Sequence, residues 1–204
     1  MVINILKEDN LNILEKRILE EGIVLPGNVL KVDGFVNHRI DPQFFMQIAE
    51  EFKRRFEHLE IDKILTVEVS GIAIAFAAGL AMDKKVIFAK KNNSKTLGDD
   101  VYKSSVYSYT KGVTYDIMVS KNFLNKGDRV LVIDDFLANG KALEGVYDIL
   151  EQAGAELLST GILIEKGFQE GGKRLREKGY EIHSLATIKS LEGGKVEFEN
   201  SIDF

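Results

Sequence analysis

The 204-residue sequence contains no cysteine. It can therefore form neither a disulfide framework nor a thiolate zinc site, and nothing in it indicates an oxidising compartment. No stretch approaches the roughly 20 apolar residues that span a bilayer, and residues 1–10 lack the basic cluster and apolar run of a signal peptide. These absences predict a cytoplasmic protein that is neither secreted nor inserted in a membrane.

Proline is also scarce, with only Pro26 and Pro42, and no Gly/Ser/Pro-rich linker or repeat interrupts the chain. A domain boundary therefore has no obvious place to lie. A chain of this length that is 45% hydrophobic can bury one sizeable core. We expect a single domain over residues 1–204, with a helical region at 1–60 and an α/β core at 61–192.

Positive charge is in deficit, since 27 Lys and Arg oppose 32 Asp and Glu, for a formal net charge of -5. This balance predicts no nucleic-acid partner unless the basic residues cluster. The clusters that occur are interpreted as solvated strand edges or helix faces: Lys84/Lys85, Lys90/Lys91 and Lys173–Arg176. The three histidines share no metal-ligand spacing, and no metal is assigned directly to the protein.

Apolar runs alternate with helical patterns from residue 63 onward. Strands are predicted at 63–69, 84–90, 129–135 and 157–165, and helices at 11–21, from Pro42 to about His58, 71–82 and 141–153. Such alternation indicates a parallel sheet covered on both faces, so the fold class is α/β. Ser105–Tyr109 and Tyr115–Val119 alternate like the arms of a hairpin, which predicts a mobile flap at about 92–120.

One segment carries the chemistry. Val130–Ala142 reads as a buried strand, an acidic pair, a short turn and the start of a helix. The turn can offer backbone N–H groups and a helix dipole to a phosphate, and the two carboxylates can accept hydrogen bonds from vicinal hydroxyls. Together they describe a site for ribose 5-phosphate. The segment lacks the first glycine and the Ser or Thr of a P-loop, and a receiver-domain acidic pair would lie near the chain start.

These residues resemble the PRPP (phosphoribosyl pyrophosphate) motif of the type I phosphoribosyltransferases. The resemblance covers about Leu11 to Phe198, and its most specific pieces are Leu30–His38, Val69–Ala73, Asp134–Gly140 and Ile164–Phe168. The first and last pieces are typical of the members that act on xanthine. The resemblance implies a mostly parallel sheet flanked by helices, with an N-terminal hood over the base and a flap hairpin.

The resemblance also implies residue roles. The catalytic aspartates that meet the ribose hydroxyls are Asp134 and Asp135, and Asp135 is a candidate general base. The remaining roles are the 5-phosphate loop of Ala138, Asn139, Gly140, Lys141 and Ala142; the pyrophosphate contacts of Ser70, Gly71, Lys90 and Lys91; and the xanthine contacts of Leu30, Asn37 and Lys166. Further implications are Mg²⁺ bound with PRPP or pyrophosphate, and a homodimer in which the two lysines reach the neighbouring site.

Physical chemistry agrees with several of these roles. Loop N–H groups at 68–72 suit pyrophosphate, and a lysine after a buried strand is a donor that favours oxopurines over adenine. Gly71 follows Ser70, where adenine-specific relatives carry arginine. The reaction that the resemblance implies is transfer of the phosphoribosyl group of PRPP to N9 of xanthine, giving xanthosine 5'-monophosphate and pyrophosphate in purine salvage.

Two alternatives stay open on the sequence. One is a guanine or hypoxanthine phosphoribosyltransferase, because a single hydrogen bond can decide between these bases. The other is a regulator that binds PRPP without catalysis. Residues 1–60 hold eight basic and eleven acidic side chains, which argues against the DNA contact that such a regulator needs.

Overall fold

A computed structural model describes residues 11–91, 100–108 and 112–199. Its elements, in chain order, are α1 (Ile13–Glu21), β1 (Ile23–Leu25), β2 (Val29–Lys31), α2 (Pro42–Phe56), β3 (Lys63–Val67), α3 (Gly71–Met82), β4 (Lys85–Lys91), β5 (Val101–Ser108), β6 (Val113–Ser120), β7 (Arg129–Leu137), α4 (Lys141–Ala153), β8 (Glu156–Lys166), α5 (Glu170–Glu177), β9 (Ile182–Ser190), a 3₁₀ turn (Glu192–Gly194) and β10 (Glu197–Phe198).

Eight of the strands form one sheet in the order β10-β9-β8-β7-β3-β4-β6-β5. The five central strands, β9-β8-β7-β3-β4, are parallel, while β10 and the β5–β6 hairpin add antiparallel edges. The predicted α/β class, with a mostly parallel sheet flanked by helices, is confirmed. The carboxyl ends of β3, β4, β7 and β8 consequently meet at one edge, where ligands of such sheets bind.

Each face of the sheet has its own apolar core. On one face, α1, β2, α2 and α3 pack around the phenylalanines of α2, including Phe52 and Phe56. On the other, α4 and the β5–β6 hairpin pack against the sheet. The N-terminal segment is tied to the sheet by the Asn12 side-chain amide, which donates to the Leu185 carbonyl at 2.7 Å. The hood region therefore shares a core with the sheet.

Local signals explain most helix boundaries. Asp41 accepts hydrogen bonds from the Gln43 and Phe44 amides at 3.2 Å, and Pro42 fills the first turn, so α2 begins where the sequence predicts. The predicted helices at 71–82 and 141–153 are confirmed at both ends. The helix predicted at 11–21 begins at Ile13, because Asn12 and Glu15 form a capping box.

The predicted hairpin is also present. Strands β5 and β6 pair antiparallel, with Val106 opposite Tyr115. Parts of the predicted flap, at 92–99 and 109–111, lie outside the described residues. Helix α5 and strand β9 were not predicted at all. Within the ranges that the structure describes, no helix is long and apolar enough to cross a bilayer.

Candidate active site

The turn between β7 and α4 forms the floor of a small cavity. Gly140 adopts a left-handed backbone with φ of 75°, and the Asn139 side-chain oxygen accepts the Lys141 amide at 3.1 Å. A cavity of about 190 Å³ lies over residues 138–142, and flap residues Tyr107 and Tyr115 help to line it. The five residues predicted for the 5-phosphate loop therefore line one concave surface at a helix N-terminus.

The acidic pair is buried where β7 approaches this turn. Asp134 and Asp135 are 6% and 8% exposed, and one Asp134 carboxylate oxygen accepts the Asp135 amide at 3.0 Å. Burial, followed by the negative charge of Asp135, raises the pKa of Asp134 well above its usual range, whereas the positive charge of Lys91 acts in the opposite direction. The pair thus places two buried carboxyl groups next to the turn at residues 138–142, which is called the phosphate turn after its predicted ligand.

The loop predicted for pyrophosphate touches this pair. A Cβ atom added to Gly71 would lie 2.2 Å from the Thr66 hydroxyl oxygen and 2.6 Å from an Asp134 carboxylate oxygen. Only glycine fits at this position, and the structure brings Gly71 and Asp134 together. Ser70 precedes Gly71 at the start of α3. Thr66 is fully buried and its hydroxyl has no partner among the described residues, a feature that no local sequence pattern indicates.

The two neighbouring lysines of β4 diverge, because side chains alternate along a strand. Lys91 donates its amide to a Glu68 carboxylate oxygen at 2.6 Å, and its ammonium nitrogen lies 5.5 Å from the centre of the Tyr115 ring. Lys90 instead lines a groove of about 480 Å³ with Lys85 and other residues. Lys91 is thus the lysine of the pair whose charge acts on Asp134 in the same chain.

The remaining predicted residues lie at the β8 end of the site and in the hood. Lys166 ends β8 opposite Ile188 of β9, and half-burial lowers the pKa of its ammonium group. Leu30 is buried in the apolar cluster that also contains Ile188. Asn37 is exposed in the turn that follows β2. The structure therefore places Leu30 in the same core as the strand partner of Lys166.

Other residues at the site were missed by sequence reasoning. Tyr115 lies on strand β6 of the flap, and burial followed by the charge of Asp134 raises its pKa. Glu144, in the first turn of α4, pairs with Lys141 at 2.8 Å. Arg174 of α5 donates to the Asn139 carbonyl at 2.9 Å. The contacts of Tyr115 and Arg174 join residues far apart in the chain, so only the fold reveals them, whereas Lys141 and Glu144 have the i,i+3 spacing of neighbours on one helix.

Comparisons with known proteins define the class. Residues 39–190 match the phosphoribosyl transferase domain, and the chain therefore belongs to the phosphoribosyl transferase family. It is 57% identical over 187 residues to xanthine phosphoribosyltransferase of Finegoldia magna, covering 92% of this chain and 98% of that one. Over 189 residues it is 53% identical to xanthine phosphoribosyltransferase of Ligilactobacillus salivarius, covering 93% and 98%.

Solved structures support the fold. Adenine phosphoribosyltransferase from Rhodothermus marinus superposes with a TM-score of 0.68 at 24% identity, over 86% of this chain and 98% of that chain. The enzyme from Trypanosoma brucei, in complex with AMP, pyrophosphate and ribose-5-phosphate, gives 0.72 at 19% identity, over 86% and 79%. At these identities the likeness shows the fold alone. The family resemblance drawn from the sequence is confirmed.

Proposed function

We propose that this chain transfers the 5-phosphoribosyl group of PRPP to N9 of xanthine, giving xanthosine 5'-monophosphate and pyrophosphate, in cytoplasmic purine salvage. The observation that carries the proposal is the contact of Gly71 with Asp134. It joins an anion-binding loop to an acidic pair that is followed at once by a phosphate turn. Xanthine as the acceptor is supported by the names of the relatives that are 57% and 53% identical.

Each part of PRPP has a matching surface. The turn at residues 138–142 binds the 5-phosphate at the N-terminus of α4, and the loop at Ser70 and Gly71 binds the pyrophosphate. Asp134 and Asp135 accept hydrogen bonds from the ribose hydroxyls and stabilise positive charge at C1 as the pyrophosphate leaves. Lys91 offsets the negative charge of the leaving group. No covalent nucleophile is needed.

Mg²⁺ fits this arrangement as a partner of PRPP. No group of three or more metal-binding side chains occurs within the described ranges. Mg²⁺ commonly takes only one or two carboxylates and completes its shell with water and substrate phosphates. Asp134 and Asp135 supply two carboxylates beside the pyrophosphate loop, so they would hold the ion in place. When bound, Mg²⁺ neutralises charge on the departing pyrophosphate.

The flap excludes water from the reacting centre. Tyr107 and Tyr115 line the phosphate cavity from the β5–β6 hairpin. A cationic ribosyl centre exposed to solvent would be hydrolysed, so a lid over C1 favours transfer to the base.

Lys166 selects the base. Its ammonium group can only donate, so it binds a ring carbonyl and leaves the amino group of adenine without a partner. The hood residues Leu30 and Asn37 cover the purine from the other side.

The single-domain organisation over residues 1–204 stays a prediction.

Turnover with different bases tests the function. Pyrophosphate release from PRPP and Mg²⁺ is measured with xanthine, guanine, hypoxanthine, adenine or no base. We expect the highest kcat/KM with xanthine. A preference for guanine or hypoxanthine would contradict xanthine as the acceptor but would still support phosphoribosyl transfer. PRPP binding without turnover on any base would favour a regulator.

The same assay on Lys166→Ala tests the base contact. Loss of one charge-assisted hydrogen bond costs about 1.5–3 kcal/mol of binding free energy. It is therefore expected to raise the KM for xanthine at least tenfold, with the KM for PRPP little changed. Lys189→Ala, on the neighbouring strand β9, is the control. Equal rises in both KM values for Lys166→Ala would contradict its role.

We further propose that the chain forms a homodimer through the outer face of α3. This helix is apolar on all sides, yet only its inner side packs on the sheet, and Val69, Phe76 and Leu80 are 76%, 65% and 63% exposed. With Ile40 they line an apolar groove of about 640 Å³. A second copy suits this face because self-association would cover an exposed apolar surface that adjoins Ser70 and Gly71.

Substitution of Phe76 tests the homodimer. We expect Phe76→Glu to weaken self-association by about 100-fold, because a charge would be buried in an apolar interface. Ile23→Glu, at an exposed apolar position of β1, should leave association unchanged. Sedimentation equilibrium measures both variants. A wild-type protein that is monomeric at micromolar concentrations would contradict the proposal.

A further inference from the structure

Helix α5 packs directly against the back of the phosphate turn. A Cβ atom added to Gly171 would lie 2.2 Å from the Ala138 carbonyl oxygen and 2.7 Å from the Gly140 nitrogen. One added to Gly140 would lie 2.9 Å from a methyl carbon of Leu175. Because glycine is present on both sides, the two backbones touch without an intervening side chain. The phosphate turn therefore has a rigid support on the side away from its cavity.

Arg174 adds polar contacts between α5 and the phosphate turn. Its Nη2 atom donates to the Asn139 carbonyl at 2.9 Å and lies 3.2 Å from an oxygen of Glu144. Burial alone would raise the pKa of Glu144, but hydrogen bonds from Lys141 and Lys178 and the charge of Arg174 outweigh it and hold the pKa at about 2. Glu144 is therefore ionised at neutral pH and fixes the guanidinium beside the turn. The prediction that Lys173–Arg176 is only a solvated face is wrong for Arg174.

The direction of the carbonyls determines the direction of the amides. In a planar trans peptide the C=O and N–H bonds point in opposite directions. The Asn139 carbonyl faces Arg174, so the Gly140 amide points away from α5; the Ala138 carbonyl faces Gly171, so the Asn139 amide points away as well. The cavity over the turn lies on that side. Neither amide donates a hydrogen bond to any of the described residues.

We propose that Arg174 is a positioning residue for the phosphate turn, which aims the Asn139 and Gly140 amides at the 5-phosphate without touching it. The proposal rests on the proposed function, because it assigns the phosphate of the substrate to this turn. Gly171 and Leu175 hold the turn by packing, whereas Arg174 fixes the rotation of the peptide between Asn139 and Gly140.

The test compares three variants by calorimetric binding of ribose 5-phosphate and by steady-state kinetics. Arg174→Met keeps the aliphatic length and loses the donors. It is expected to weaken ribose 5-phosphate binding and raise the KM for PRPP by roughly tenfold, with the KM for xanthine within about twofold of wild type. Arg174→Lys restores one donor and is expected to recover most of the affinity.

Lys178→Met is the matched control. Lys178 pairs with the same oxygen of Glu144 at 2.9 Å, so this variant removes an equal charge from Glu144 without contacting the turn. Phosphate affinity close to wild type in Lys178→Met supports the proposal. Equal losses in the two methionine variants, wild-type affinity in Arg174→Met, or no recovery in Arg174→Lys would overturn it.

Failure of the proposed function gives a different result. Ribose 5-phosphate binding requires no base, so a wild-type protein that binds it but turns over no purine would contradict the transferase and leave the Arg174 comparison intact. A wild-type protein that does not bind ribose 5-phosphate would overturn both. Thermal unfolding of each variant distinguishes loss of the folded structure from a change in the direction of the Asn139 and Gly140 amides.

Discussion

Gly140→Val is expected to weaken PRPP binding by about 100-fold or more while the fold persists. Gly140 has φ of 75°, a conformation that costs a β-branched residue about 1–2 kcal/mol or more, and its new Cβ would lie 2.9 Å from Leu175. The turn must move, and the phosphate then loses charge-assisted hydrogen bonds worth about 1.5–3 kcal/mol each. Two such losses correspond to a factor of at least 100.

Gly127→Val is the control for Gly140→Val. Gly127 also has a left-handed backbone, with φ of 83°, but a Cβ atom there would meet nothing within 4 Å. Both variants share the backbone strain, so both should show a lowered midpoint of thermal unfolding. Only Gly140→Val should lose PRPP affinity by calorimetry. A folded Gly140→Val variant with unchanged PRPP affinity would refute the phosphate turn.

Asp134→Asn is expected to reduce kcat on the order of 100-fold and at the same time to stabilise the protein. The amide keeps the shape and can still accept the Asp135 amide, but it loses the charge that stabilises the cationic ribose. Burial and the charge of Asp135 raise the pKa of Asp134 in the folded state. As pH rises above the usual aspartate range, folding therefore loses stability that a neutral side chain retains.

The pH dependence gives the sign of this effect. Asp134→Asn should unfold at a higher temperature than wild type at neutral pH, and the difference should disappear as pH falls below the usual pKa of about 3.9. Asp128→Asn is the opposite case, because hydrogen bonds from Lys63 and Asn125 overcome burial and lower the pKa of Asp128.

Asp128 precedes β7, at the end of the strand away from the site. Asp128→Asn should therefore lose stability at neutral pH, in a difference that shrinks as pH falls, while kcat is unchanged. Calorimetric scans from pH 3 to 8 and initial rates measure both variants. An Asp134→Asn protein that is less stable than wild type at neutral pH, or fully active, would contradict the assignment.

Local signals made part of the fold predictable. The helices at 71–82 and 141–153 each follow a strand and a short turn, the first helix opens on Gly71, and the second has a strong apolar stripe. The acidic pair was identified because a buried strand runs straight into it. The phosphate turn was identified from the same segment, because turn, glycine and helix start are contiguous. These features need no knowledge of tertiary contacts.

Helix α5 could not be found in this way. Its sequence has two glycines at the start and buries only one large apolar side chain, Leu175. Both glycines serve tertiary contacts: Gly171 meets the phosphate turn, and a Cβ atom on Gly172 would collide with Glu165 at 1.9 Å. Residues that lower helix propensity are retained there for reasons that lie elsewhere in the chain.

Strand β9 was hidden for a similar reason. Ser184 interrupts its apolar pattern, yet its hydroxyl donates to the buried carboxylate of Glu165, which also binds Arg176 through two hydrogen bonds at 2.7 Å. A polar residue in an inner strand is satisfied here by a neighbouring strand. The closeness of Thr66 to Gly71 and the place of Tyr115 beside the phosphate cavity likewise depend on tertiary neighbours, which the sequence does not state.

Strand β7 lies between β3 and β8, although β4, β5 and β6 precede it in the chain. The middle of the sheet is therefore completed after its hairpin edge has been synthesised, and β3 keeps an open side until residues 129–137 leave the ribosome. The support of the phosphate turn emerges later still, because α5 follows β8. The proposed substrate site therefore depends on residues spread from β3 to α5, and it cannot be complete before α5 has been synthesised.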